Sequence, residues 1–175
     1  MGPASFELVV AAHHPEIHRY LVRVTRRAAE AEDLSQETFL RAYRAYRALP
    51  EDANVRAWLF AIATNLFRNH VRSEHRRSTV YAEVRAAGDE ADGQGPEGAT
   101  LFSETRRLIE EIVAGLPFKQ RTAFVLRKIH DLDYEVIAQS LDCSADSARA
   151  HVFQALRKIR HSLNGHELPV TEVSR

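Results

Sequence analysis

The sequence predicts an all-α chain: two small helical modules joined by a flexible acidic linker, the second module a helix-turn-helix. Three observations predict it. No period-two run of β-branched residues bounded by turns occurs, so nothing reads as a strand. Apolar residues recur every three or four positions through most of the chain, the spacing of one helix face. Four of the seven glycines fall between Gly88 and Gly98, in GDEADGQGPEG, a polar acidic stretch that cannot bury apolar surface. The resulting division is a module at 1–79, a linker at 80–103, a second module at 104–164 and a tail at 165–175. Each module is near the lower size limit for folding alone.

In the first module, helices are expected near 4–13, 15–28, 30–48 and 55–78. Pro15 divides the first two, because proline lacks a backbone donor and restricts the residue before it. The sequence Leu49-Pro50-Glu51-Asp52 ends the third. That third helix carries a core stripe at Phe39, Tyr43 and Tyr46. Its other face shows Asp33, Gln36, Glu37, Leu40, Arg44 and Arg47. Leu40, ringed by charges of both signs, reads either as the centre of a protein-binding patch or as a stray leucine on a solvated face.

The fourth helix has a core face at Leu59, Ile62, Ala63 and Leu66. A second face collects Asn65, Arg68, Asn69, Arg72 and Arg76. Amides read base edges and guanidiniums hold phosphates, so this face suits DNA. Trp58, Phe60 and Phe67 are positioned either to stack on an unpaired base or to join the core. Asn65 also offers a helix cap if the segment breaks at Thr64.

In the second module, helices are expected near 102–114, 117–129, 133–141 and 145–163. Gly115 and Pro117 mark the first boundary, glycine as a helix stop and proline as a start. Ile137 and Leu141 give one turn of core on a short helix, and Asp142-Cys143-Ser144 breaks the pattern. It resumes at Ala148, Val152, Ala155, Ile159 and Leu163. A short helix, a three-residue turn and a longer helix form the motif whose second helix enters the major groove. The opposite face of that helix carries Ser147, Ala150, His151, Gln154, Arg157 and Lys158, with Arg149 and Arg160 flanking it.

Composition is consistent with this division. The formal net charge is zero, but the charges are unevenly placed. Residues 1–79 hold twelve Arg against nine acids, 80–115 three Arg against eight acids, and 116–175 nine basic residues against seven acids. Two mildly basic ends flanking an acidic middle read either as a chain that touches phosphates at two places or as an acidic linker between ordinary domains. The single cysteine, Cys143, excludes an internal disulfide and a thiolate zinc cluster, and reads as a small buried apolar residue. The N-terminus lacks a basic start and a long apolar run, and no stretch approaches the roughly 18 apolar residues of a membrane span. A cytoplasmic protein without membrane insertion is expected. His14 and His18 are four apart, but no third ligand lies nearby in sequence, and neither an H-E-x-x-H motif nor a phosphate-cradling glycine loop occurs. No cofactor, metal site or enzymatic activity is expected.

Three stretches, AEDLSQETFLRAYRAY at 31–46, VRAWLFAIATNLFRNHVRSEHRR at 55–77 and LPFKQRTAFVLRKIHDLDYEVIAQSLDCSADSARAHVFQALRKIR at 116–160, resemble the extracytoplasmic-function (ECF) sigma factors of bacterial RNA polymerase. The resemblance implies a factor that directs core polymerase to specific promoters. It implies that Asp33, Gln36, Glu37, Leu40, Arg41 and Arg44 bind the clamp helices of the largest subunit. It implies that Asn65, Arg68, Asn69, Arg72 and Arg76 melt the minus-ten element and hold a flipped base. It implies that Ser147, Arg149, Ala150, His151, Gln154, Arg157 and Lys158 read the minus-thirty-five element as duplex. It further implies contact with the flap of the second-largest subunit, and an anti-sigma partner. Asn69 stands where many members carry Asp, and Asp146 where many carry Gly. The rival reading from the residues is a stand-alone helix-turn-helix regulator.

Overall fold

The computed structural model describes residues 5–82 and 101–165, with side chains at 5–77 and 104–165. Seven helices account for these residues: α1 Phe6–Thr25, α2 Ala28–Tyr46, α3 Val55–Ala82, α4 Leu101–Ala114, α5 Phe118–Lys128, α6 Tyr134–Leu141 and α7 Ala145–Asn164. No strand occurs among them. The heart of the acidic linker, 83–100, and the tail beyond Gly165 lie outside the described residues.

The first two expected helices are one. α1 runs through Pro15 without a break. Val9 on one side of the proline and Ile17, Tyr20, Leu21 and Val24 on the other are all buried, so both halves share one packed face. Pro15 itself points to solvent. Tertiary burial therefore outweighs the roughly 3 kcal/mol that a proline costs inside a helix. α1 ends at Arg26, which takes a left-handed conformation (φ 65°) and donates its N–H to the Val22 carbonyl.

The core stripe of α2 also differs from expectation. Its buried side chains are Ala31, Leu34, Ser35, Thr38, Phe39 and Ala42. Tyr43 is 63% exposed, and its ring rests edge-on against Phe6. The aromatic spacing suggested a stripe through Phe39, Tyr43 and Tyr46. Small residues, Ala31, Ser35, Thr38 and Ala42, make up most of the buried face, beside Leu34 and Phe39.

α3 is unbroken across Thr64, so Asn65 caps nothing. Thr64 is buried and its hydroxyl pairs with Tyr20 Oη at 2.8 Å. The cap sits earlier, where Asn54 Oδ1 accepts from the Ala57 N–H at 3.0 Å. Phe60 and Phe67 are core side chains.

In the second half, α6 and α7 form the expected helix-turn-helix. Asp142 closes α6 in the left-handed region (φ 53°), and the Cys143 N–H donates back to the Ala138 carbonyl. Ser144 then caps α7, its Oγ accepting from the Ser147 N–H at 3.1 Å. Ile137, Leu141, Ala148, Val152, Ala155 and Ile159 are buried as their spacing requires, and Cys143 is half-buried against them.

The two halves do not stand apart. α3 packs on α6 and α1 on α5, and the buried side chains of both halves make one contiguous cluster.

Candidate nucleic-acid interfaces

The outward face of α7 is the first candidate. Arg149, Ala150, Gln154, Arg157 and Lys158 are exposed, while Ser147 and His151 are half-buried. Several of these side chains are held in place. Arg149 Nη1 donates to Asp146 Oδ1 at 2.9 Å, and its guanidinium lies 4.9 Å from the centre of the Tyr134 ring. The amide of Gln154 accepts from Gln120 Nε2 at 2.9 Å. His151 is held below its ordinary value, chiefly by burial and then by the Lys119 charge. Near neutral pH it is therefore an uncharged imidazole, suited to hydrogen-bonding a base edge and not to pairing with a phosphate. Gln120 and Lys119, at the start of α5, were not among the sequence candidates. Their only sequence signal is their place just after Pro117, in the polar first turn of a helix.

The second candidate is the α3 face. Asn69, Arg72 and Arg76 are exposed along it. Asn65 and Arg68, one turn nearer the start, are half-buried. Arg68 Nη2 donates to Asn65 Oδ1 at 2.8 Å, and Arg68 Nη1 lies 3.9 Å from Asp142 Oδ2 at the end of α6. Part of this face is therefore covered by the helix-turn-helix.

Behind that face, α3 meets α2 through Glu30, His70 and Glu74, whose ligand atoms lie within 4.8 Å of one another. Arg27 already serves these carboxylates, with Nη1 2.6 Å from Glu30 Oε1 and 3.4 Å from Glu74 Oε1. A guanidinium thus supplies the positive charge there. His14 and His18, the pair with metal-like spacing, stack on one another at 6.0 Å, and His18 Nε2 lies 3.4 Å from Glu32.

The third surface is on α2. Asp33, Gln36, Leu40, Arg41 and Arg44 are exposed and Glu37 half-exposed. Arg41 Nε donates to Glu37 Oε1 at 2.6 Å, and Gln36 Nε2 to Glu32 Oε1 at 3.1 Å. Leu40 (52% exposed) and Tyr43, one turn on, give this charged face an apolar centre. Such a centre with a polar rim is the composition of a protein-binding surface.

Sequence reasoning missed the junction between the halves. Glu16 on α1 is gripped by Arg56 on α3 through both guanidinium nitrogens, Nε donating to Oε2 at 3.0 Å. The same Arg56 donates Nη2 to the His130 carbonyl at 2.5 Å, and His130 Nδ1 lies 3.2 Å from Glu16 Oε1. The His130 ring, 5% exposed, sits against Phe60 at 4.8 Å and edge-on to Tyr20 at 5.7 Å. Further along α3, Phe67 meets Phe118 at 5.3 Å, with the Arg121 guanidinium 5.8 Å from the Phe67 ring. The Arg68–Asp142 pair, long at 3.9 Å and open to solvent on the Asp142 side, is worth at most about 1 kcal/mol. The junction is carried instead by the aromatic contacts and the half-buried Glu16–Arg56–His130 network.

Comparison with known proteins shows the family. Residues 9–77 match the model of sigma-70 region 2, and residues 106–159 that of sigma-70 region 4. The chain is 35% identical over 166 residues to the RNA polymerase sigma-H factor of Pseudomonas aeruginosa, covering 91% of this chain and 86% of that one. It is 29% identical over 166 residues to the ECF RNA polymerase sigma-E factor of Haemophilus influenzae, covering 91% and 87%. Among solved structures, it shares its fold with the sigma factor RpoE of Bartonella quintana, solved with the anti-sigma factor NepR (TM-score 0.75, 21% identity, covering 91% and 96%). It also shares it with CnrH, solved with the cytosolic domain of CnrY (TM-score 0.65, 21% identity, covering 93% and 89%). Two matched regions in the right order, and a relative spanning nearly the whole chain, place this protein in the sigma-70 family of RNA polymerase sigma factors, in its ECF branch.

Proposed function

We propose a division of labour for this ECF sigma factor, which directs RNA polymerase to promoters. The α2 face, Asp33, Gln36, Glu37, Leu40, Arg41 and Arg44, grips the clamp helices of the largest subunit, and the 104–164 module meets the flap of the second-largest. The α3 face, Asn65, Arg68, Asn69, Arg72 and Arg76, holds the unpaired minus-ten strand. The α7 face, Ser147, Arg149, Ala150, His151, Gln154, Arg157 and Lys158, reads the minus-thirty-five duplex. The observation that supports this reading best is the α3 row, where amides and guanidiniums alternate along one side of a helix whose back is buried. Stacking and hydrogen bonds in such a site offset the few kcal/mol needed to unstack a base. The protein acts in the cytoplasm and is restrained by an anti-sigma partner, as the Bartonella quintana sigma factor of the same fold has been captured with one.

Run-off transcription on a cognate promoter, with and without core polymerase, tests the reading. Promoter-dependent transcript should appear only with both proteins. Arg72→Ala should weaken binding of polymerase holoenzyme to pre-melted promoter and lower the salt slope by about 0.7, the value for one single-strand phosphate contact. Tight, specific duplex binding by the pure chain with no effect of core polymerase would instead identify a stand-alone regulator.

A further inference from the structure

We propose that Glu30, His70 and Glu74 form a binding site for one divalent transition-metal ion, zinc(II) or a cation of the same chemistry, which clasps the start of α2 to α3. The site is independent of the promoter and polymerase roles proposed above.

The ligand set comes from two helices. Glu30 lies in the first turn of α2, and His70 and Glu74 stand four residues apart on α3. Positions i and i+4 share a helix face, so the two α3 side chains converge on one spot. α2 packs on α3 and brings Glu30 to the same spot. There His70 Nε2 lies 3.3 Å from Glu30 Oε2 and 3.7 Å from Glu74 Oε2, and one ligand atom from each residue falls within 4.8 Å of the others. Tetrahedral zinc, with bonds near 2.0–2.2 Å, puts neighbouring donors roughly 3.3–3.6 Å apart. Two edges are already close to that length, and Glu74, the most exposed of the three, has the freedom to close the third. Glu30 is remote from the other two in sequence, so no ligand spacing announces the set.

Two further observations point to a cation. His70 Nε2 is buried and has no hydrogen-bond partner, although two carboxylates face it. The second is the way Arg27 divides the carboxylates. Its Nη1 lies 2.6 Å from Glu30 Oε1 and 3.4 Å from Glu74 Oε1, which leaves both Oε2 atoms to the imidazole. One guanidinium against two carboxylates leaves one negative charge for the ion. Arg27 thus stands where an outer partner of a metal site stands, holding the ligating carboxylates in orientation. One imidazole and two carboxylates suit zinc(II) and not magnesium(II), which favours an octahedron of oxygens. Glu30 and His70 are half-buried and Glu74 is exposed, so the ion has an entry path and water completes its coordination.

The experiment uses the full chain, stripped of metal by a chelator. Equilibrium dialysis against zinc(II), with magnesium(II) in a parallel arm, reads stoichiometry, and thermal melts read the clasp. The wild type should take up one zinc(II) per chain and no magnesium(II) at the same concentration. Its melting midpoint should rise with zinc(II), because an ion that binds only the folded chain stabilises it by mass action. His70→Ala and Glu30→Gln should each lower the affinity by at least about tenfold and remove the rise. Circular dichroism checks helical content, and Glu30→Gln, which changes charge and not size, carries the test if His70→Ala does not fold. A double variant, His14→Ala with His18→Ala, should behave as the wild type. Absence of saturable uptake by the wild type overturns the site. So does uptake at wild-type affinity in a folded His70→Ala or Glu30→Gln variant, or its loss in the double variant, which would place the ion on α1. Stoichiometric uptake without a rise in the midpoint overturns the clasp.

Discussion

Among the described residues, the non-glycine residues Arg26, Asp131 and Asp142 hold positive φ. Only local turn chemistry selects them, and no periodicity reveals them. Asp142 is the most instructive. It ends α6 in the left-handed region, and its side chain is 87% exposed with one long ion pair to Arg68. An L-residue other than glycine pays backbone energy there of roughly 1–2 kcal/mol, somewhat less for Asp. Asp142→Gly should therefore raise stability by about 0.5–1 kcal/mol, seen as a higher urea midpoint at unchanged slope. A lower midpoint would mean that the Asp142–Arg68 pair contributes more than its exposure suggests.

At the scale of the element, Pro15 stands inside α1, faces solvent, and leaves the Ala11 carbonyl without the N–H of residue 15. Pro15→Ala should stabilise the protein by about 1–3 kcal/mol, because it restores a donor and removes a ring clash. Thermal melts read this directly, and a fall in the midpoint would show that the Pro15 ring contributes packing that outweighs its missing donor. Pro15 also marks how far sequence can be read. Helix 4–13 and helix 15–28 were separated by a rule about local hydrogen bonding, but a buried face shared by Val9, Ile17 and Tyr20 overrode it. Where apolar spacing was regular and punctuation strong, as from Tyr134 to Leu163, the elements fell within a residue of expectation. Tyr43 was misplaced for a related reason. Aromatic residues dominate a spacing pattern, but the buried face of α2 includes Ala31, Ser35, Thr38 and Ala42, which carry little weight in it. The α3 and α7 faces were legible because charge and amides repeat along one helix. The junction was not, because Glu16, Arg56 and His130 are far apart in sequence and each looks ordinary alone.

At the scale of the whole molecule, the junction gives the protein a sensitivity to acid. Burial holds His130 below its ordinary value of 6.5, outweighing its bond to Glu16, and the Arg56 and Arg23 charges press the same way. Glu16 is held at about 2, first by the Arg56 hydrogen bond, so it stays ionised throughout. A histidine held down in the junction binds protons more readily once released, so acid favours release. The junction is at full strength above pH 6.5 and weakens as pH falls below it. Scattering from the full chain should show expansion between about pH 7.5 and about 5. His130→Asn, which places an uncharged donor near the position of Nδ1, should be less compact at neutral pH and insensitive to pH over that range. Compactness that does not change with pH in the wild type would show that His130 keeps one protonation state in both forms.

The unequal division of the Glu16–Arg56–His130 network has a further consequence for how ligands see one another. Glu16 and Arg56 both lie in the first half, on α1 and α3, so parting the halves does not of itself separate them. Any ligand that needs the two halves apart binds with an affinity reduced by the population of that form. If that population were about one per cent, a first ligand would raise the apparent affinity for a second by up to about a hundredfold. Polymerase and promoter would then reinforce each other's binding without touching, through an equilibrium each of them draws in the same direction.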